Sequence, residues 1–173
     1  MSLASVKPLP LVVQPVPTPA TTLGGFHPEA GSLVILGYDE LSVPDARIWG
    51  DVREVRDGTG TRARGVQLLI SEFENRERPF VDADELPALL RGLDALLAVT
   101  ENPTSFKKFE VRYTTRDNLA FVAYNTDAGS VGYLIQSGSP ARVTVQNLGT
   151  AQMLKVRTMF ETALQKLNQV SGR

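Results

Sequence analysis

The chain reads GVQLLISEFENRERPFVDADELPALLRGLDALLAV over residues 65–99, and this stretch decides the fold. Leu86, Leu89, Leu90, Leu93, Leu96 and Leu97 recur at three- and four-residue spacing, which lines one face of an α-helix. Asp82 and Asp84 stand just before that face, and either side chain suits the free N–H groups of a first helical turn. Pro87 selects Asp84 as the N-cap. Counted from there it falls in the first turn, where its missing N–H removes no helical bond. Ahead of the helix, Val66, Leu68 and Ile70 alternate with Gln67, Leu69 and Ser71, the period of a strand with one buried face. A helix laid by its apolar stripe across that sheet buries both, at roughly 1.5–3 kcal/mol per leucine.

Outward from this stretch, strands dominate. Residues 33–38 are a short apolar run, and 46–55 a strand in which Gly50 interrupts the alternation and predicts a bulge. Asp57-Gly58-Thr59-Gly60 is a turn, 62–74 the long strand, 75–78 a second turn, and Phe80-Val81 a brief fourth strand. Asn102-Pro103 opens a second half. There 106–116 carries Phe109, Val111, Tyr113 and Thr115 on one face and Lys108, Glu110, Arg112 and Thr114 on the other. Strands at 119–125, 131–136 and 142–145 follow, separated by Asp117-Asn118, by 127–129 and by 137–140, which are antiparallel hairpin spacings. A last helix, starting near Asn147 or Thr150, aligns Met153, Val156, Phe160, Ala163, Leu164 and Leu167. The expected fold class is α+β: two four-stranded antiparallel units, each followed by an amphipathic helix packed on the sheet, a (β4α)2 pseudo-repeat. Its halves are 33–100 and 101–173 of one domain. Residues 1–32 hold six of the eleven prolines and only two charges, Lys7 and Glu29, and predict a proline-rich flexible linker.

With 173 residues the chain is long enough to bury one core. A net charge of −1 sets up no global basic field for nucleic acid, and the absence of cysteine excludes disulfides and thiolate metal sites. No apolar run reaches the roughly 18 residues of a membrane helix. Leu9, Leu11, Val12 and Val13 are too few, and too closely hemmed by prolines, for a signal-peptide core. The nearly uncharged proline-rich segment nonetheless favours an exported or envelope-associated protein.

Chemistry-bearing groups are sparse. His27 is the sole histidine and sits in the proline-rich segment, so neither a nucleophile–histidine triad nor a zinc site is expected. Glu72, Glu74, Glu77, Asp82, Asp84 and Glu85 lack the spacing of a calcium loop and fit strand alternation plus the acidic start of a helix. Gly58-Thr59-Gly60 with Gly65 leads into a strand and lacks the Lys-Ser/Thr ending of a phosphate loop. No catalytic residue, metal ligand or cofactor is therefore expected, and the protein is not expected to be an enzyme. One constellation matches a ligand class: Lys107, Lys108, Arg112 and Arg116 interleave with Tyr113 and Tyr124, as on single-strand nucleic-acid platforms. Strand alternation, however, sets Tyr113 opposite Arg112. Charge is also uneven: residues 33–100 carry 8 Lys or Arg against 13 Asp or Glu, and 101–173 carry 9 against 5. The leading expectation is a non-catalytic binding or structural module, with an unknown protein partner or self-association through its oppositely charged halves. The alternative is a single-stranded nucleic-acid binder.

In element order, residues 33–170 resemble the whirly-like (β4α)2 fold, whose members bind single-stranded nucleic acid; that resemblance implies the alternative function. The lysine-rich motif of the plant whirly proteins is absent. The stretches FVDADEL at 80–86 and FEVRY at 109–113 resemble a bacterial family without assigned activity, so no activity follows from them.

Overall fold

In the computed structural model, which describes residues 21–42, 47–139 and 142–171, the strand β3 (Arg62–Glu72) is the hub of a first sheet. β2 (Ile48–Asp57) pairs along one side of it, with β1 (Val34–Glu40) outside β2, and β4 (Asn75–Glu77) and β5 (Phe80–Asp82) pair along the other. All pairings are antiparallel. β4 and β5 keep a single register on β3, with Ile70 opposite Glu77 and Gln67 opposite Phe80. The break falls at Arg78-Pro79, because Pro79 has no N–H for the ladder although its carbonyl still accepts from Leu68 N at 3.0 Å. The turn expected at 75–78 is therefore a strand. The chain reverses instead at Phe73-Glu74, with Phe73 in the left-handed region at φ 51°.

The second sheet runs β6 (Glu110–Thr114), β7 (Ala120–Asn125), β8 (Val131–Ser139) and β9 (Arg142–Leu148) in order, all antiparallel. Its turns are those expected at 117–118, where Asn118 adopts φ 57°, and around Gly129. Of the third expected turn, 137–140, Ser137, Gly138 and Ser139 belong to β8 and pair with Thr144, Val143 and Arg142, and Pro140 lies outside the described residues. The first strand of this half is shorter than expected, because 103–108 bends away before Glu110. The protein is thus α+β, with antiparallel sheets of five and four strands and two helices, α1 (Leu86–Leu97) and α2 (Thr150–Ser171), among the described residues.

The helices do not each cover the sheet that precedes them. α1 lies against β6, β7 and α2, whereas α2 reaches β2 and β3 of the first sheet and β8 and β9 of the second. One core results: Val66, Leu68 and Ile70 share it with Leu86, Leu89, Leu93, Phe121, Ile135, Val156 and Phe160. Phe121 and Phe160 meet edge to face, with ring centroids 5.8 Å apart. Gly50 is not a bulge, for β2 holds unbroken register from Ile48–Ile70 to Arg56–Arg62. Its lack of a side chain has another use. A Cβ there would stand 3.1 Å from Leu68 Cδ2 and 3.2 Å from Met159 Sδ, so glycine lets α2 settle close to the sheet.

Asp84 is not the N-cap. Glu85 occupies that position with helical φ and ψ and no side-chain capping bond. The chain enters α1 through a tight turn in which Glu85 N donates to Asp82 O at 3.0 Å, leaving no extended residue to fold back over the first turn. Pro87 does lie in that turn. Residues 1–20 of the expected linker, and the expected strand start at Ala46, lie outside the described residues, but part of the remaining linker is packed: Thr21 is buried, and its hydroxyl accepts from Gly24 N at 3.1 Å. Leu23 is buried, and Thr22 N and Leu23 N donate to the Asp82 carboxylate at 2.7 and 3.0 Å.

Candidate functional site

The six expected contact residues do not form one surface. Tyr113 faces inward under α1, where a Cβ on Gly92 would lie 2.3 Å from its ring. Burial first, then the Glu85 carboxylate, push its hydroxyl above the usual tyrosine range, against a smaller opposite effect of Arg91. Arg112 and Tyr124 lie on the opposite, outer face of the second sheet, where Arg112 pairs in register with Val122 and Tyr124 with Glu110. The Tyr124 ring lies across Gly132, and its hydroxyl donates to Asn147 Oδ1 at 3.4 Å.

Three charged members of this set, Lys108, Arg112 and Arg116, face carboxylates. Arg112 is bound by Glu110 at 2.7 Å, and Lys108 by Asp127 at 3.3 Å. Lys107 is exposed in the bend before β6, its carbonyl accepting from Asn125 Nδ2 at 2.6 Å. Arg116 serves the fold instead. Its guanidinium pairs with Asp84 and, at 3.2 Å, with Glu85, while its backbone N donates to Glu85 Oε1 at 2.7 Å. The Asp84 hydrogen bond, aided by Glu85 and opposed by burial, raises Arg116 above its ordinary range. This cluster locks the entry of α1 to the β6–β7 turn, with an Asp82 carboxylate oxygen also 3.6 Å from the Arg116 guanidinium.

The opposite charges of the two halves likewise meet inside the chain. Asp94 of α1 pairs with Arg157 of α2 at 2.9 Å, and Asp39 of β1 with Lys166. The hydrogen bond from Arg157, opposed by desolvation and aided by the guanidinium charge, holds Asp94 below the usual carboxylate range. These pairs belong to the packing of one molecule and leave less opposite charge for association.

Sequence reasoning missed another surface. Every residue of β1 is exposed, including Val34, Ile35 (68%), Leu36 and Tyr38 (66%), with Leu33 at 85% just before the strand. β1 ends its sheet, so one of its edges has no partner among the described residues. Register places Val34, Leu36 and Tyr38 on the outer face beside Asp57, Val55 and Arg53. One strand further in, the single tryptophan, Trp49, stands 43% exposed opposite Leu69 on that same face. A depression of about 480 Å³ there is lined by Tyr38, Trp49, Leu69 and Arg78, among others. The signal available in the sequence was a six-residue run, 33–38, without Lys, Pro or Asp, the residues that usually guard an edge strand.

Among the described residues no three His, Cys, Asp or Glu side chains converge as a metal ion requires, and no helix is long and apolar enough to cross a membrane. His27 is exposed. Compared with protein-family models, with curated proteins and with solved structures, the chain matches none.

Proposed function

We propose that the protein is a non-catalytic binding module that holds an extended protein segment against the β1 edge of its first sheet. The observation that carries this reading is the wholly exposed strand β1, with Leu33, Val34, Ile35, Leu36 and Tyr38 in water. A strand edge offers a row of free N–H and C=O groups, and alternate side chains give the contact its selectivity. A large apolar group left in water forgoes most of the roughly 1.5–3 kcal/mol that its burial contributes, so this surface favours a partner that covers it. A benzophenone photo-crosslinker in place of Leu36, and separately in place of Tyr124, tests the reading in the producing cell. Polypeptide adducts from position 36, diminished when Tyr38→Lys is added, support it. Absence of any polypeptide adduct at position 36 overturns it.

Nucleic-acid adducts from position 124 would favour the second reading, a single-strand nucleic-acid binder of whirly-like (β4α)2 plan. Two observations favour that plan: β4 and β5 share one register and act as a fourth strand broken at Pro79, and Tyr124 and Arg112 share one sheet face. Counterion release then requires affinity for a single-stranded oligonucleotide to fall steeply with salt.

A further inference from the structure

We propose that the segment seated on β1 is β1 of a second copy, paired antiparallel about a two-fold axis at Leu36, so that two five-stranded sheets join edge to edge. This rests on the binding-module reading above and names its partner. The main chain is set for it. Leu41 N donates to Gly50 O at 2.9 Å, in step with the β1–β2 register. In an antiparallel ladder bonded residues alternate, so Ile35, Gly37 and Asp39 direct their N–H and C=O groups to β2. Val34, Leu36 and Tyr38 direct theirs to the open edge.

With the axis at Leu36, that residue faces its own symmetry mate, and Val34 faces Tyr38 of the second copy, for about six main-chain hydrogen bonds. The outer row Val34, Leu36, Tyr38 thereby meets itself as one apolar stripe. The inner row is complementary by size, because Ile35 falls opposite Gly37, where an added Cβ would meet nothing within 4 Å. Beside Gly37 lies a groove of about 340 Å³, lined by Val52, Leu167 and Val170 among others, which receives Ile35 of the second copy. Charge agrees as well. Asp39 and Glu40 fall outside the five-residue seam, opposite Leu33 and Ser32, so no carboxylates confront each other. Moving the axis to Gly37 would set Glu40 against Val34, and moving it to Ile35 would leave Tyr38 out of the seam.

A five-residue seam is short beside the roughly 1,200–2,000 Å² of stable interfaces, so the expected dissociation constant is on the order of 10–100 μM. Sedimentation velocity of the full chain across that range tests the proposal. The wild type should pass from monomer to dimer, and Leu36→Lys, which sets like charges on the axis, should weaken the dimer by about tenfold or more. Val34→Lys alone should do the same, and adding Tyr38→Glu should restore the dimer, because only in this register does position 34 of one copy face position 38 of the other. All these side chains are exposed, and unchanged circular dichroism confirms that the variants fold. A wild type monomeric throughout, a dimer indifferent to Leu36→Lys, or a double variant that stays dissociated overturns the proposal. If the chain stays monomeric while position 36 still crosslinks to polypeptide, the binding-module reading stands with a different partner. If both fail, that reading fails too.

Discussion

Replacing Gly92 by alanine should destabilise the protein, although alanine is the better helix former. In an unconstrained helix interior the change gains about 0.8–1.0 kcal/mol. Here the added Cβ would lie 2.3 Å from Tyr113 Cδ2, 2.6 Å from Cε2 and 2.7 Å from Cγ, far inside the roughly 3.5–4.0 Å of a carbon–carbon contact. The ring is rigid and held between β6 and α1, so the overlap is relieved only by lifting the helix or forcing Tyr113 off its rotamer. Such overpacking costs about 1–3 kcal/mol or more. Set against the gain in helix propensity, Gly92→Ala should therefore lower unfolding free energy by up to about 2 kcal/mol in urea titrations followed by circular dichroism. In a Tyr113→Ala background the obstacle is gone, and the same substitution should become stabilising by about 0.8–1.0 kcal/mol. A stabilising Gly92→Ala in the wild type, or equal effects in both backgrounds, would refute the packing argument. It would also free Tyr113 for a surface role that its place under α1 now denies it.

Leu93 is fully buried, so Leu93→Ala should cost about 2–5 kcal/mol in the same assay, while Leu97→Ala, at the partly buried end of the stripe, should cost markedly less. Truncation through Gly25 removes buried Leu23 and two N–H donors to Asp82; a loss of about 2–4 kcal/mol is expected from calorimetry, and an unchanged melting curve would show the docking to be dispensable. Asp94→Asn should lower stability at neutral pH. Because the folded-state pKa of Asp94 is lowered by Arg157, the wild-type advantage is present above the ordinary value of 3.8 and is lost as pH falls through the lower folded value. Urea midpoints of the two proteins should accordingly converge in strong acid, and a gap that persists there would contradict this origin.

Local pattern determined the element types. The leucine stripe of residues 86–97 and the stripe from Met153 to Leu167 are helices, and the alternation of Phe109, Val111, Tyr113 and Thr115 sorts inward from outward side chains. The turns at 57–60, 117–118 and around Gly129 also come from local chemistry, since glycine and asparagine enter the left-handed region at low cost. These features rest on neighbours within a few residues, whose periodicity is written along the chain. What only the tertiary structure decided depends on residues far apart. The sequence shows that Leu86 and Leu93 need an apolar partner but not that β6 and β7 supply it. It shows a glycine at 50 but not Met159 above it, and an Asp82 but not the Thr22 and Leu23 amides that it binds. The cations of 107–116 are visible, whereas the pairing of Arg116 with Asp84 and Glu85 requires the fold to be closed. Above all, an apolar run such as 33–38 reads alike in a central and an edge strand. Hydrophobic burial has no direction and does not name its partner, so only the order of strands in the sheet leaves β1 at the edge, facing water.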